Sequence, residues 1–315
     1  MTSERAGGLE KDVLRCDEAD ASARARPMHI GMIAALGKPR IMALVGLTTL
    51  AGYVAAGGLA AQGPLRGVFL IVGTMLAAAG ANALNQVAEA REDAAMARTA
   101  ARPIPSGAMD ARAALLIAAL LELTGLAMLY LLVNPLTALL ALITTFVYIL
   151  VYTPLKRVTP YSMIAGAVAG AIPPMMGWTG ATGELSNGAW AFFLILFVWQ
   201  IPHFISLSYI HRADYAAAGF KTLSSCGDAS ISARYVSLVY ALALVPASLS
   251  PALAGAGAAY VIGTLALSSL FVLPALTFFA AGGAKPARRL FLASVRYMFL
   301  LMLLTMADAG VRHFA

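Results

Sequence analysis

Charge is scarce in this sequence: 12% of its 315 residues are Asp, Glu, Lys or Arg, against 60% hydrophobic residues and a mean hydropathy of +0.80. That excludes an ordinary soluble domain, which would expose far too much apolar surface. Cysteine is scarcer still, with Cys16 and Cys226 the only two, too few and too far apart for a zinc site. The formal net charge of +7 does not point to nucleic acid, because the basic residues are spread over several loops and lack interleaved aromatics.

Long apolar runs are abundant. Runs near the length of a bilayer crossing lie at roughly 41–62, 67–88, 113–133, 136–153, 161–179, 189–210, 235–253, 257–281 and 289–307. The reading is an all-α polytopic membrane protein of nine transmembrane helices, with residues 29–315 as one intramembrane domain. Of the 22 Lys and Arg residues, all but Arg66 and Arg312 then fall on one side, which sets the N-terminus inside. Residues 1–28 read as a disordered cytoplasmic tail. Glu4, Glu10, Asp12, Asp17, Glu18 and Asp20 argue against a mitochondrial presequence, and no cleavable signal peptide is visible, so a bacterial plasma membrane is expected.

The few charges that exist are concentrated. Asn85, Glu89 and Asp93 follow at four-residue spacing at the end of an apolar run, so a continuing helix puts them on one face. Their oxygens suit a hard cation such as magnesium, which itself favours phosphate oxygens. Arg98 and Arg102, also four apart, suit bidentate phosphate contacts. A charge run is usually a solvated face, but Asn82 and Asn85 are amides set back inside the apolar helix, where an unsatisfied group is costly.

Two further loops share that side. Lys156 and Arg157 fit a second set of phosphate contacts, although by themselves they read first as positive-inside anchors. In the sixth run, Pro202 removes a backbone hydrogen bond and His203 follows it; an imidazole inside a span is a functional candidate, with a purely hydrogen-bonding role equally open. Trp199, Phe204 and Tyr209 offer ring faces to a cation, the commoner role being packing. Asp214, on the following loop, is a candidate for a second cation beside Glu89 and Asp93. Gly166, Gly170, Pro173, Pro174 and Gly177 give the fifth run small-residue faces for close packing.

Asn85-x-x-x-Glu89-x-x-x-Asp93-x-x-Met96-x-Arg98-Thr99-x-x-Arg102-Pro103, Tyr152-Thr-x-x-Lys156-Arg157-x-Thr159-Pro160, Trp199-Gln-x-Pro-His203-Phe204 and Asp214-Tyr215-x-x-Ala-Gly219 resemble the haem-farnesylating branch of the UbiA-type intramembrane prenyltransferases. The likeness runs from about Lys38-Pro39-Arg40 through the last span. It implies a nine-helix bundle around a central cavity, and transfer of farnesyl from farnesyl diphosphate to a vinyl group of haem b, with water added. By the same resemblance Asn85, Glu89 and Asp93 hold Mg2+, while Arg98, Arg102, Lys156, Arg157, Lys38 and Arg40 hold phosphates. The catalytic candidates are Asn85, Glu89, Asp93 and His203, and Asp214 joins the metal set. Implied partners are membrane lipid and the haem A synthase or terminal oxidase assembly proteins that receive the product. Departures are Glu89, where Asp is common, and Phe220-Lys221-Thr222-Leu223, where a Met-Leu-Pro segment often follows Gly219. The competing readings are a prenyltransferase for a quinone precursor or other ring acceptor, and a transporter with a charged gate. A transporter's charges belong near the midplane, whereas these lie at the edge.

Overall fold

The computed structural model describes residues 30–224 and 229–314. The tail expected over 1–28, Cys16 and Cys226 lie outside them. Every regular element among the described residues is helical.

The chain opens with α1 (Ile30–Gly37) and α2 (Pro39–Ala55), bent by 56° at Lys38. A single turn, α3 (Gly58–Ala61), leads to α4 (Gly63–Ala88) and the short α5 (Ala90–Ala95). Then come α6 (Ala111–Leu132) and α7 (Pro135–Phe146), which continues through a π-helical stretch, Val147–Tyr152, into α8 (Thr153–Val158). The rest is α9 (Ser162–Thr182), α10 (Asn187–Ile210), the short α11 (Arg212–Ala217), α12 (Ala229–Leu249), α13 (Ala258–Ala281) and α14 (Ala284–Phe314).

Seven helical segments among the described residues are long and apolar enough to cross a membrane, and the bent α1–α2 pair makes up to eight. Together with α9 they coincide with the nine runs of the sequence. α9 is long enough at 21 residues, but Gly, Thr and the Pro173–Pro174 pair dilute its apolarity. This is a multi-pass membrane protein.

Packing follows membrane rather than aqueous logic. On α6 the small residues Ala114, Ala118 and Gly125 face inward, while Leu116 and Leu131 are 72% and 73% exposed, an outward apolar face suited to lipid tails. α4 packs mainly on α6, α2 on α9, and α9 on α10; α12, α13 and α14 continue the bundle, and α14 returns to α2. Glycine makes the α2–α9 crossing possible. A Cβ on Gly177 would collide with the Thr49 carbonyl oxygen, and one on Gly52 with that of Pro174, so the fifth run's small residues serve close packing as expected.

Polar groups collect at the two ends of the bundle. One end gathers the C-terminus of α4, α5, α8, the last turns of α10 and the 218–224 segment. The other holds the α6–α7 and α12–α13 junctions and the end of α14.

Candidate active site

The acidic face survives the end of α4. Glu89 closes that helix, yet its amide still donates to the Asn85 carbonyl at 2.9 Å, and Asp93 N–H donates to the Glu89 carbonyl at 2.8 Å. The i to i+4 ladder therefore carries across the junction into α5, and Asn85, Glu89 and Asp93 remain on one buried face. Past α5, the Thr99 hydroxyl donates to the Asp93 carbonyl at 2.8 Å, turning the chain so that Arg102 reaches Asp93 Oδ2 at 2.6 Å.

The opposing wall comes from far along the chain. The Lys156 ammonium donates to both Glu89 oxygens, at 2.7 and 2.9 Å, and Arg157 pairs with Glu92 at 2.7 Å. Asn85 Nδ2 donates to Thr153 Oγ1 at 3.1 Å, and the Tyr148 hydroxyl lies 3.2 Å from Asn85 Oδ1 and 3.4 Å from Asn82 Oδ1. The π-helical stretch stacks Tyr148 on Tyr152, centroids 5.6 Å apart, and turns Tyr148 toward the amides. The two asparagines are thus satisfied inside the bundle, Asn82 also through the Ala78 carbonyl at 2.9 Å.

Lys38 completes the ring. It stands between α1 and α2, ahead of the apolar run, at φ 55°, the only non-glycine residue at positive φ among those described. That conformation costs on the order of 1–2 kcal/mol. It delivers the ammonium to Asn85 Oδ1 at 3.3 Å. Arg102 and Lys156 are the neighbouring cations and Glu89 and Asp93 the neighbouring acids. An anion placed among these cations would be held by all three.

Not every expected residue is gathered here. Arg40 and Arg98 are exposed and make no ion pair among the described residues. Asp214, in the first turn of α11, lies 3.9 Å from His211 Nδ1. No three His, Cys, Asp or Glu side chains stand together as a metal cluster among the described residues, so Asp214 is not assembled with Glu89 and Asp93. His203 has its partners on α10 and α14: its ring stacks on Trp199 and Phe291, both with centroids at 4.9 Å, and Nδ1 lies 2.8 Å from Ser294 Oγ. Ser294 Oγ also lies 2.6 Å from the Phe291 carbonyl oxygen, so one hydroxyl links the imidazole to the α14 backbone. Trp199 is committed to packing, its indole N–H donating to the Ser294 carbonyl at 2.8 Å, and Tyr209 packs edge-on against Phe278 at 5.1 Å.

Tyr148, Thr153 and Glu122 were missed in the sequence. Glu122 is a lone acid in the apolar α6, buried and bonded to Thr145 Oγ1 at 2.7 Å; its isolation inside a span is itself a signal. Tyr148 left none, because its role depends on the local π winding.

The donor set fits a magnesium ion brought in with a diphosphate. Two carboxylates and an amide oxygen on one face are hard ligands, too few for an all-protein cage and right for an ion that keeps water and phosphate oxygens. Each carboxylate is meanwhile held by a lysine or arginine that a phosphate can recruit.

This is the geometry of a diphosphate-handling intramembrane enzyme, and residues 45–303 match the UbiA prenyltransferase family; the chain belongs to that family. Among its relatives are two proteins named protoheme IX farnesyltransferase. That of Anaeromyxobacter sp. (strain Fw109-5) is 39% identical over 90% of this chain and 96% of its own length. That of Opitutus terrae is 39% identical over 85% and 90%. Similar solved structures include a digeranylgeranylglyceryl phosphate synthase, with TM-score 0.72 and 16% identity over 89% of this chain and 98% of the other. A UbiA homolog from Archaeoglobus fulgidus bound to GPP and Mg2+ has TM-score 0.53 and 15% identity over 88% and 99%.

Proposed function

We propose that this protein transfers the farnesyl group of farnesyl diphosphate to a vinyl group of haem b, forming haem O. The observation that carries the prenyl-transfer half is the buried Asn85–Glu89–Asp93 face opposed by Lys38, Arg102 and Lys156. The relatives' shared name supports haem b as the acceptor.

Breaking the allylic carbon–oxygen bond sends the electron pair to the departing diphosphate, so catalysis depends on neutralising that charge. Asn85, Glu89 and Asp93 would hold Mg2+, which would supply Lewis-acid neutralisation there. Lys38, Arg102 and Lys156 bind the phosphate oxygens as fixed cations, with Arg157, Arg98 and Arg40 as outlying basic groups. The apolar walls keep water from the allylic cation until the vinyl carbon attacks. Water then adds at the ring-side carbon and loses a proton, giving the hydroxyethylfarnesyl side chain. His203 is the candidate acceptor of that proton or a contact to the porphyrin. Asp214 is the candidate for a second cation site completed by substrate.

The charged end faces the cytoplasm of a bacterial inner membrane, the N-terminus is on that side, and the chain crosses nine times. The product passes to haem A synthase or to terminal oxidase assembly. Purified protein given farnesyl diphosphate, Mg2+ and haem b is expected to yield a more hydrophobic haem, separable by reverse-phase chromatography and abolished by chelation. A prenylated product appearing only with aromatic acids would replace the haem assignment with that of a quinone-precursor enzyme.

A further inference from the structure

A cavity of about 120 Å³, shared by Lys156 but by none of the acids, lies beside the acidic face. Its walls include Tyr152, Lys156, Phe204, Tyr215, Phe220 and Lys221. Among the described residues no carboxylate lines it, and neither do Asn85, Glu89, Asp93 or Arg102, so this is not the seat of the metal and diphosphate.

The wall carrying Lys221 is built into the fold. Gly219, at φ 71°, ends α11, and Phe220 N–H returns to the Tyr215 carbonyl at 2.9 Å. Lys221 N–H then donates to the Lys156 carbonyl at 2.8 Å, binding this segment to α8. Phe220 and Leu223 are buried, and the Lys156 ammonium lies 4.4 Å from the Tyr152 ring centroid and 5.5 Å from that of Phe220. The backbone thus ties two lysines into one aromatic-lined cavity. Lys156 is balanced by Glu89, whereas the Lys221 ammonium has no ion-pair partner among the described residues. An aromatic cavity with an uncompensated cation and no acid fits the anionic arm of a flat apolar molecule.

We propose that this cavity is a carboxylate subsite in which Lys221, alongside Lys156, receives an acidic arm of the acceptor. The inference rests on the acceptor reading above: for haem b the arm is a propionate. It also gives a role to the segment that departs from the family pattern after Gly219.

The test compares wild type with Lys221→Gln and Lys221→Arg, using haem b and its dimethyl ester, whose propionates carry no charge. Lys221 is exposed and its side chain has no hydrogen-bond partner among the described residues, so both variants are expected to insert normally. Absorbance titration of the purified proteins should show haem b binding weakened about tenfold in Lys221→Gln and kept in Lys221→Arg. The ester should bind all three alike, and the KM for farnesyl diphosphate should not move. Unchanged haem b binding, an equal loss for the ester, or a loss confined to farnesyl diphosphate would each overturn the subsite while the enzyme still farnesylates haem. Wild-type protein that neither binds nor farnesylates haem b would overturn the acceptor reading and the subsite together.

Discussion

Two buried aspartates, each paired with a partly exposed arginine, lie at opposite ends of the bundle and look alike. Asp93 meets Arg102 at 2.6 Å at one end, and Asp308 meets Arg312 at 2.8 Å at the other. What separates them is what remains for a ligand. Both Asp308 oxygens accept from Gly257 N–H at 3.1 Å, at the start of α13, and one also takes the guanidinium. That carboxylate caps a helix and locks α14 to the α12–α13 junction. Among the described residues Asp93 has a hydrogen-bond partner on one oxygen, and its neighbour Glu89 is held through a flexible lysine. A saturated pair is architecture. A pair left open, among cations supplied by three separate stretches of chain, can exchange its partner for a metal and phosphate.

The comparison breaks if the two aspartates behave alike when neutralised. Asp93→Asn should lower kcat by about 10³-fold or more, the scale for removing one preorganised electrostatic group. Its melting midpoint in detergent should hardly change, because Arg102, 23% exposed, can turn to water. Asp308→Asn should do the reverse: about 2 kcal/mol of stability lost with the cap and ion pair, read as a drop of several degrees. Turnover at a temperature where it is folded should stay within about twofold. Loss of turnover in Asp308→Asn at full stability would put a functional group at the wrong end.

The same contrast marks how far the sequence could be read. Seven spans among the described residues follow from apolar length alone and an eighth from the bent α1–α2 pair; α9 falls short in apolarity, since its Gly and Pro residues serve tight crossings instead. The Asn85–Glu89–Asp93 face followed from helical spacing, and the ladder holds even across the break at Glu89. Partners from distant segments were less legible. Lys156 on its own looked like a topology anchor, and only the return of α8 beside α4 brings it to Glu89. Asp214 matched the chemistry of a metal ligand, but the first turn of α11 sets it one helical turn from His211. Tyr148 could not be found, because its direction depends on one π-helical stretch.

The smallest expected effect concerns Arg98, which the sequence ranked with Arg102 because both lie at helical spacing. In the fold the spacing carries no such equivalence, for α5 ends before either residue and each sits in its own turn. Arg102 is held on Asp93 by a short ion pair, while Arg98 is exposed and has no ion-pair partner among the described residues. An exposed cation near a diphosphate site acts through long-range attraction, which salt screens over about 8–10 Å. Arg98→Gln should therefore raise the KM for farnesyl diphosphate by no more than about threefold at low ionic strength. The difference should vanish near ~0.5 M salt, with kcat unchanged throughout. Arg102→Gln should lose far more and keep the loss in high salt. A salt-resistant defect in Arg98→Gln as large as that of Arg102→Gln would mean that the 96–102 turn closes onto substrate and brings both guanidinium groups to the phosphates.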